Sequence, residues 1–207
     1  TMKIKKIIDL CKKRGIFRLY AGESVQWISD GCALYPLYNL PEFDEETLYR
    51  VFDITEKQQD KISFRYELHL PSTICNDDYM QGEALCEEGT MVIGAGGKNI
   101  IPFKTSQGVL FIDEKYLAPL EDTRDYIEVY ERTGEDGRIY FAVKSGFMLL
   151  AIVFPYDAIN ELFVNGLKEL SQQCEIALFN KRTQEKQAEQ QTVFGTGEEK
   201  TQAEEIE

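Results

Sequence analysis

The residue types that most often carry out catalysis are scarce or scattered in this sequence. The single histidine, His69, lies just before Pro71 without a recognisable partner motif. Catalytic triads and histidine metal sites need a histidine held by a fixed partner, so we assign His69 a structural role. The acidic pairs at 77–78, 87–88 and 135–136 lie in turn-like segments, whereas acid/base catalysis needs a dry pocket that separates the carboxyl pKa values. The sequence therefore predicts a protein that is not an enzyme, with no catalytic residues.

A glycine-rich segment, residues 94–98, superficially resembles a phosphate-binding loop. The P-loop pattern needs an earlier glycine where this sequence has Val92, and Ser or Thr where it has Asn99. The segment is also not followed by a long helical pattern. We interpret it as the tight turn of a β-hairpin and expect no cofactor.

The cysteines indicate free thiols rather than a disulfide framework or a zinc site. They are odd in number and not closely paired: Cys11, Cys32, Cys75, Cys86 and Cys174. Structural zinc sites and small disulfide-rich folds both need closely spaced or even-numbered cysteines. We therefore expect no metal and a reducing, cytoplasmic environment. The sequence also shows no signal peptide and no apolar run of the roughly 18 residues that span a bilayer, so we expect no membrane association.

Basic residues are concentrated at the start of an otherwise acidic chain. The net charge of −13 opposes nonspecific phosphate binding over the whole surface, yet six of the 23 Lys and Arg residues fall in the first 14 positions. The spacing of Ile4, Ile7, Ile8 and Cys11 predicts a helix from Met2 to Arg14 that ends at Gly15. The opposite face carries four lysines: Lys5, Lys6, Lys12 and Lys13. This face is either a solvated helix surface or an anion- and DNA-binding surface.

The rest of the folded region reads as short strands separated by glycine-containing turns. We predict strands at 16–20, 25–28, 33–38, 62–68, 91–93, 100–103, 109–112, 126–131, 138–143 and 147–154. We predict short helices at 43–52 and 114–120, begun by Asp44 and Asp113, and a long connector at 71–89. Sequential strands with tight turns favour antiparallel pairing, so the predicted fold class is α+β with an antiparallel sheet.

A long helix is predicted to begin at Asp157 and to end near residue 180. Its apolar positions recur at helical spacing: Ile159, Leu162, Phe163, Leu167, Leu170, Cys174, Ala177 and Leu178. Residues 181–207 are polar and acidic, and we expect this tail to be disordered or a frayed helix because it cannot bury a core.

Two segments, residues 16–70 and 90–156, share an order of strand, short helix and strand, which indicates an internal repeat. Within the second, Gly108 to Pro155 resembles the last half-domain of a sliding DNA clamp. The resemblance is carried by the strand 109–112, the helix with Tyr116-Leu117, two amphipathic strands, and the apolar strand that ends at Pro155.

The resemblance implies a clamp-like α+β domain over residues 1–156, made of two repeated halves. It implies a non-catalytic DNA-replication accessory protein, of phage or mobile-element origin, that forms homo-oligomers. Lys5, Lys6, Lys12 and Lys13 would then track the DNA phosphates in weak, sequence-independent binding.

A second function remains open from the residues alone. The chain could be a protein–protein adaptor or structural subunit that assembles through its C-terminal helix without contacting DNA. In addition, Val193 and Phe194 are an isolated apolar spot in the polar tail, and they resemble the end of the short peptides by which bacterial proteins dock into clamps. We predict them as partner-binding residues.

Overall fold

The computed structural model describes residues 2–22 and 24–195, and side chains as far as residue 189. The chain forms two compact units, Thr1–Asp157 and Ala158–Glu207.

The first unit contains three α-helices, two short 3-10 helices and twelve strands among its described residues. The α-helices are α1 (Ile4–Arg14), α2 (Glu45–Val51) and α3 (Glu56–Gln59). The strands are β1 (Ile16–Tyr20), β2 (Trp27–Ser29), β3 (Ala33–Pro36), β4 (Ser63–Glu67), β5 (Ala84–Leu85), β6 (Glu87–Glu88), β7 (Ile93–Ala95), β8 (Lys98–Thr105), β9 (Gly108–Asp113), β10 (Ile127–Thr133), β11 (Ile139–Ser145) and β12 (Met148–Val153). The 3-10 helices are Glu114–Tyr116 and Ala118–Tyr126.

These strands form two sheets. The first has eight strands in the order β4-β1-β2-β3-β12-β11-β10-β5, and the second has β6 and β7 on β8, which also pairs with β9. All pairs are antiparallel except β1 with β4, which run parallel. The predicted α+β class is therefore confirmed, but the prediction of a purely antiparallel sheet is wrong at this edge. A parallel pair needs a long crossover, and here β2, β3, α2 and α3 supply it.

The main core lies on one face of the first sheet. There the inward side chains of its strands pack with α1, α2, the second sheet and the 3-10 helices. Alternate residues of the same strands form a smaller cluster on the opposite face; Leu19 belongs to the main core and Tyr20 to the smaller one. The smaller cluster is covered in part by the connector between β4 and β5, which contributes Ile74.

The predicted repeat is not confirmed as a structural repeat. Its two segments share the order of their elements, but β3 and β4 belong to the same sheet whereas β9 and β10 belong to different sheets. The predicted helix at 114–120 is two 3-10 helices, and the expected connector at 71–89 contains the short strands β5 and β6.

The second unit contains the long helix α4 (Glu161–Gly195). Asn160, rather than Asp157, begins it: the Asn160 Oδ1 accepts a hydrogen bond of 2.9 Å from the Phe163 backbone N–H, as an N-cap side chain does. The helix also continues fifteen residues beyond its predicted end near residue 180. Of the two expectations for the segment from residue 181, disorder or a frayed helix, the backbone is helical as far as Gly195.

Candidate functional site

The basic face of α1 is partly occupied by contacts within the protein. Lys6 forms an ion pair with Glu121 of the second 3-10 helix, and the Lys12 Nζ donates a hydrogen bond of 3.0 Å to the backbone carbonyl of Phe52. Lys5 and Lys13 are exposed. Of the four lysines predicted to bind DNA, two are therefore presented to solvent and two are held against the protein.

Carboxylates of the second 3-10 helix place negative charge beside these lysines. Lys3, which lies before α1, makes a 2.8 Å ion pair with Asp122. The hydrogen bond from Lys6 lowers the pKa of Glu121, and the hydrogen bond from Lys3 lowers the pKa of Asp122. The 3-10 helix thus neutralises part of the charge that the sequence places on α1.

The predicted apolar stripe of α4 lies along one side of the helix and faces solvent. Residues that recur every three or four positions lie on one face of a helix. The apolar residues of α4 with this spacing are Leu167, Leu170, Cys174, Ala177 and Leu178. All five are exposed; Leu170, for example, retains 60% of its accessible surface. These five residues therefore give α4 an apolar face that is exposed to solvent.

The predicted partner-binding residues Val193 and Phe194 belong to the last turn of α4 by their backbone. Their side chains lie outside the described part of the structure.

The glycine-rich segment forms a tight turn, as predicted. Ala95 of β7 pairs directly with Lys98 of β8, and both intervening glycines, Gly96 and Gly97, have positive φ angles of 57° and 74°. Two-residue hairpin turns of type I′ need positive φ at both central positions, which explains the two glycines.

The turn borders a cleft of about 650 Å³ that also includes the ends of the 3-10 helices. Its charged groups are largely paired with one another or with neighbouring residues: the Lys115 Nζ lies 2.8 Å from the Asp113 Oδ2, and the Asn99 amide donates a 3.0 Å hydrogen bond to Glu114. The positive and negative side chains that line the cleft therefore balance, and the cleft presents no net charge to a ligand.

A buried ion cluster, missed by the sequence analysis, fixes the connector to the first sheet. The Glu83 carboxylate accepts hydrogen bonds from Arg132 on β10 and from Lys144 on β11, at 2.7 Å and 2.5 Å. Burial alone would raise the pKa of Glu83, but these two hydrogen bonds outweigh it and the pKa is lowered. The alternation of β10 and β11 places Arg132 and Lys144 on one face, and this pattern could have indicated that they share a partner.

A second buried polar network joins the first 3-10 helix to the sheet. The Tyr116 hydroxyl donates a 3.0 Å hydrogen bond to the Asp30 carboxylate, and the Tyr35 hydroxyl donates one of 2.8 Å to the Tyr116 carbonyl. The other Asp30 oxygen accepts from the backbone N–H groups of Cys32 and Ala33. Each of these groups already has a hydrogen-bond partner. We therefore interpret the network as one that stabilises the packing of the 3-10 helix on the sheet, and not as a reactive centre.

The remaining chemistry-bearing residues are dispersed. His69 is exposed, and the acidic pairs at 77–78 and 135–136 are exposed in loops, whereas Glu87 and Glu88 form β6. Within residues 2–22 and 24–195, no group of three His, Cys, Asp or Glu residues is placed to hold a metal ion. All five cysteines are free thiols. Among the described helices, none combines the length and apolarity required to cross a bilayer.

Comparison of the chain with protein-family models, with curated proteins and with solved structures found no match in any of the three.

Proposed function

We propose that this protein is a non-catalytic adaptor or structural subunit that assembles with a second copy of itself through α4. The observation that carries the proposal is the exposed apolar stripe of that helix. Exposed apolar patches of this kind are typical of interaction surfaces, and most of the stability of protein helices comes from packing an apolar face.

The spacing of the stripe suits a paired helix. Leu167, Leu170, Cys174 and Ala177 follow one another at intervals of three, four and three residues, which is the a/d spacing of a two-stranded coiled coil. The stripe ends at the next a-type position, where the chain has Lys181. The contact therefore covers about the first half of α4.

A second copy suits this stripe because its flanks carry no charge. In a coiled coil the positions beside the seam decide whether two chains attract or repel. Beside the a/d residues these positions are Gly166 and Gln173 on one side, and Ser171 and the outermost residue of the stripe, Leu178, on the other. Two identical helices can thus approach without like-charge repulsion, and a two-fold pair places each apolar residue against its equivalent.

Light scattering on the full chain and on a chain ended at Asp157 tests the proposal. A dimer that becomes a monomer on truncation supports assembly through α4. A monomeric full chain, or a truncated chain that still dimerises, contradicts it.

A second proposal is a clamp-type DNA-replication accessory protein, of phage or mobile-element origin, that binds DNA weakly and without sequence preference. It is supported by the two exposed lysines of α1, Lys5 and Lys13. It ranks below the adaptor because Lys6 and Lys12 are engaged by the protein. A clamp must also encircle DNA, so light scattering separates the proposals: a ring-sized assembly favours the clamp.

A further inference from the structure

A pocket of about 470 Å³ opens on the face of the first sheet that lies away from the main core. Its apolar walls come from Leu34, Ile74, Tyr140 and Phe154. The volume lies within the range of pockets that bind small molecules, which combine apolar walls with a few convergent polar groups.

Two of the polar residues that line this pocket are cationic, and Asp136 is the acidic residue among them. Arg18, in the middle of β1, lines the pocket together with Arg138 at the start of the β11 hairpin arm. Tyr20 of the same strand also lines it. Register places Arg65 of β4 directly beside Arg18, and neighbouring residues in register point to the same face of a sheet. A protein of net charge −13 thus places two arginines in the wall of one pocket, with Arg65 beside Arg18 on the neighbouring strand.

These arginines are compensated in part: Glu67 lies in register with Tyr20 on the same face of the sheet, and Asp136 lines the pocket. Among the described residues, Arg18 and Arg65 take part in no ion pair, and the carboxylate nearest Arg138 is Asp136, at 3.6 Å. Arg138 is 88% exposed, so this contact contributes little. Arg18 and Arg138 line the same pocket as the apolar side chains. This combination favours an organic anion, because a guanidinium matches the planar fork of a carboxylate.

We propose that this pocket binds a small organic acid, in which a carboxylate is attached to an aromatic or aliphatic group. Arg18 and Arg138 hold the carboxylate, and Leu34, Ile74 and Phe154 surround the apolar part. The site belongs wholly to the first unit and does not depend on assembly through α4.

Phenylpropionate is a suitable probe, and its neutral amide is the matched control. In a heteronuclear NMR titration of the full chain, we expect the acid to shift the backbone signals of Ser29, Gly31 and Leu34. The amide should bind at least about tenfold more weakly, because hydrogen bonds to charged groups are the stronger ones. Equal binding of acid and amide, or no shift at these residues, overturns the proposal. Inorganic phosphate binding as tightly as the acid overturns it too, since the apolar walls would then contribute nothing.

Two substitutions locate the binding. Arg18→Gln and Arg138→Gln should each weaken phenylpropionate binding by about tenfold, whereas Arg182→Gln on α4 should leave it unchanged. Arg138 is exposed and can be replaced without disturbing the core. If Arg18→Gln fails to fold, the Arg138→Gln variant therefore still tests whether the acid binds in this pocket. Wild-type affinity in the Arg138→Gln variant, or equal loss in Arg182→Gln, contradicts the assignment.

Discussion

Arg132 lies fully buried on β10 with its Nη2 atom 2.6 Å from the Glu83 carboxylate. Its Nε donates to the same carboxylate, and its other guanidinium hydrogens reach the backbone carbonyls of Cys75, Asp77 and Asp78. The Arg132 side chain thus binds two separate parts of the connector, residues 75–78 and Glu83, to the sheet. Lys144 completes the cluster from the neighbouring strand.

We predict that Glu83→Gln lowers the free energy of unfolding by about 3–5 kcal/mol. Removing the carboxylate leaves the charges of Arg132 and Lys144 buried without their counter-ion, and this desolvation is the cause of the loss. Urea unfolding followed by the fluorescence of Trp27, the single tryptophan, which is buried, measures the change.

Glu87→Gln is the matched control. Glu87 also pairs with a lysine, Lys104, at 2.8 Å, but its side chain is 70% exposed. Exposed pairs contribute at most about 1 kcal/mol. If Glu83→Gln costs no more than Glu87→Gln, the buried cluster does not stabilise the connector as we describe.

Local signals predicted the local structure well. Gly15 ends α1 in the left-handed conformation, with φ of 69°, and the Asp44 side chain accepts a hydrogen bond from the Thr47 N–H at the start of α2. In both cases the interaction that begins or ends the helix is with near neighbours in the sequence, so the sequence alone is enough to predict where the helix begins or ends.

Longer-range features were not predictable in this way. The alternation of β4 predicts a strand but not its partner, and its parallel pairing with β1 depends on the path of the intervening chain. The start of α4 was misplaced because Asp157 and Asn160 are both good N-cap residues. Glu83 sits in a polar connector that resembles a solvated loop, and only the fold brings it to Arg132.

For the DNA-binding proposal, the exposed lysines should matter most. We predict that the double substitution Lys5→Glu and Lys13→Glu abolishes binding to duplex DNA in fluorescence anisotropy at about 50 mM salt. Neither lysine contacts a carboxylate in the described structure, so the fold should be preserved. A control pair, Lys57→Glu and Lys168→Glu, makes the same change in net charge elsewhere. Absence of binding by the wild-type chain, or binding that survives the α1 substitutions, rejects the proposal.

The tail prediction concerns Val193 and Phe194. An aromatic residue on a mostly polar segment can anchor it in an apolar groove of a partner, at modest affinity because the segment must be ordered on binding. We expect Phe194→Ala to abolish the binding of a synthetic peptide covering residues 188–200 to the full chain, while Thr192→Ala has little effect. Identical titrations for the wild-type and Phe194→Ala peptides would show that this segment does not dock.

Cys174 reports on the direction of helix pairing. In a parallel pair of α4 helices, Cys174 occupies an a-type position and faces its equivalent. We predict that mild oxidation links two chains and that Cys174→Ser prevents this. Cys11 and Cys86 are buried, and the half-buried Cys32 and Cys75 are retained in the Cys174→Ser variant, so a link that is lost in this variant belongs to Cys174. Moving the thiol one position, as Cys174→Ser with Glu175→Cys, should slow the reaction, since residue 175 points away from the stripe. Equal rates at both positions would argue against a parallel pair.

Light scattering of the full chain with Leu170→Glu and Gln172→Glu tests the assembly most directly. Leu170 lies in the stripe, and Gln172 is about 200° further round the helix, so each variant adds the same charge to a different face. The proposal predicts that the wild-type chain and Gln172→Glu have about twice the mass of the 23.8 kDa chain. Leu170→Glu should weaken association by more than about tenfold and run as a monomer. A monomeric wild type, or equal masses for the two variants, would contradict assembly through α4.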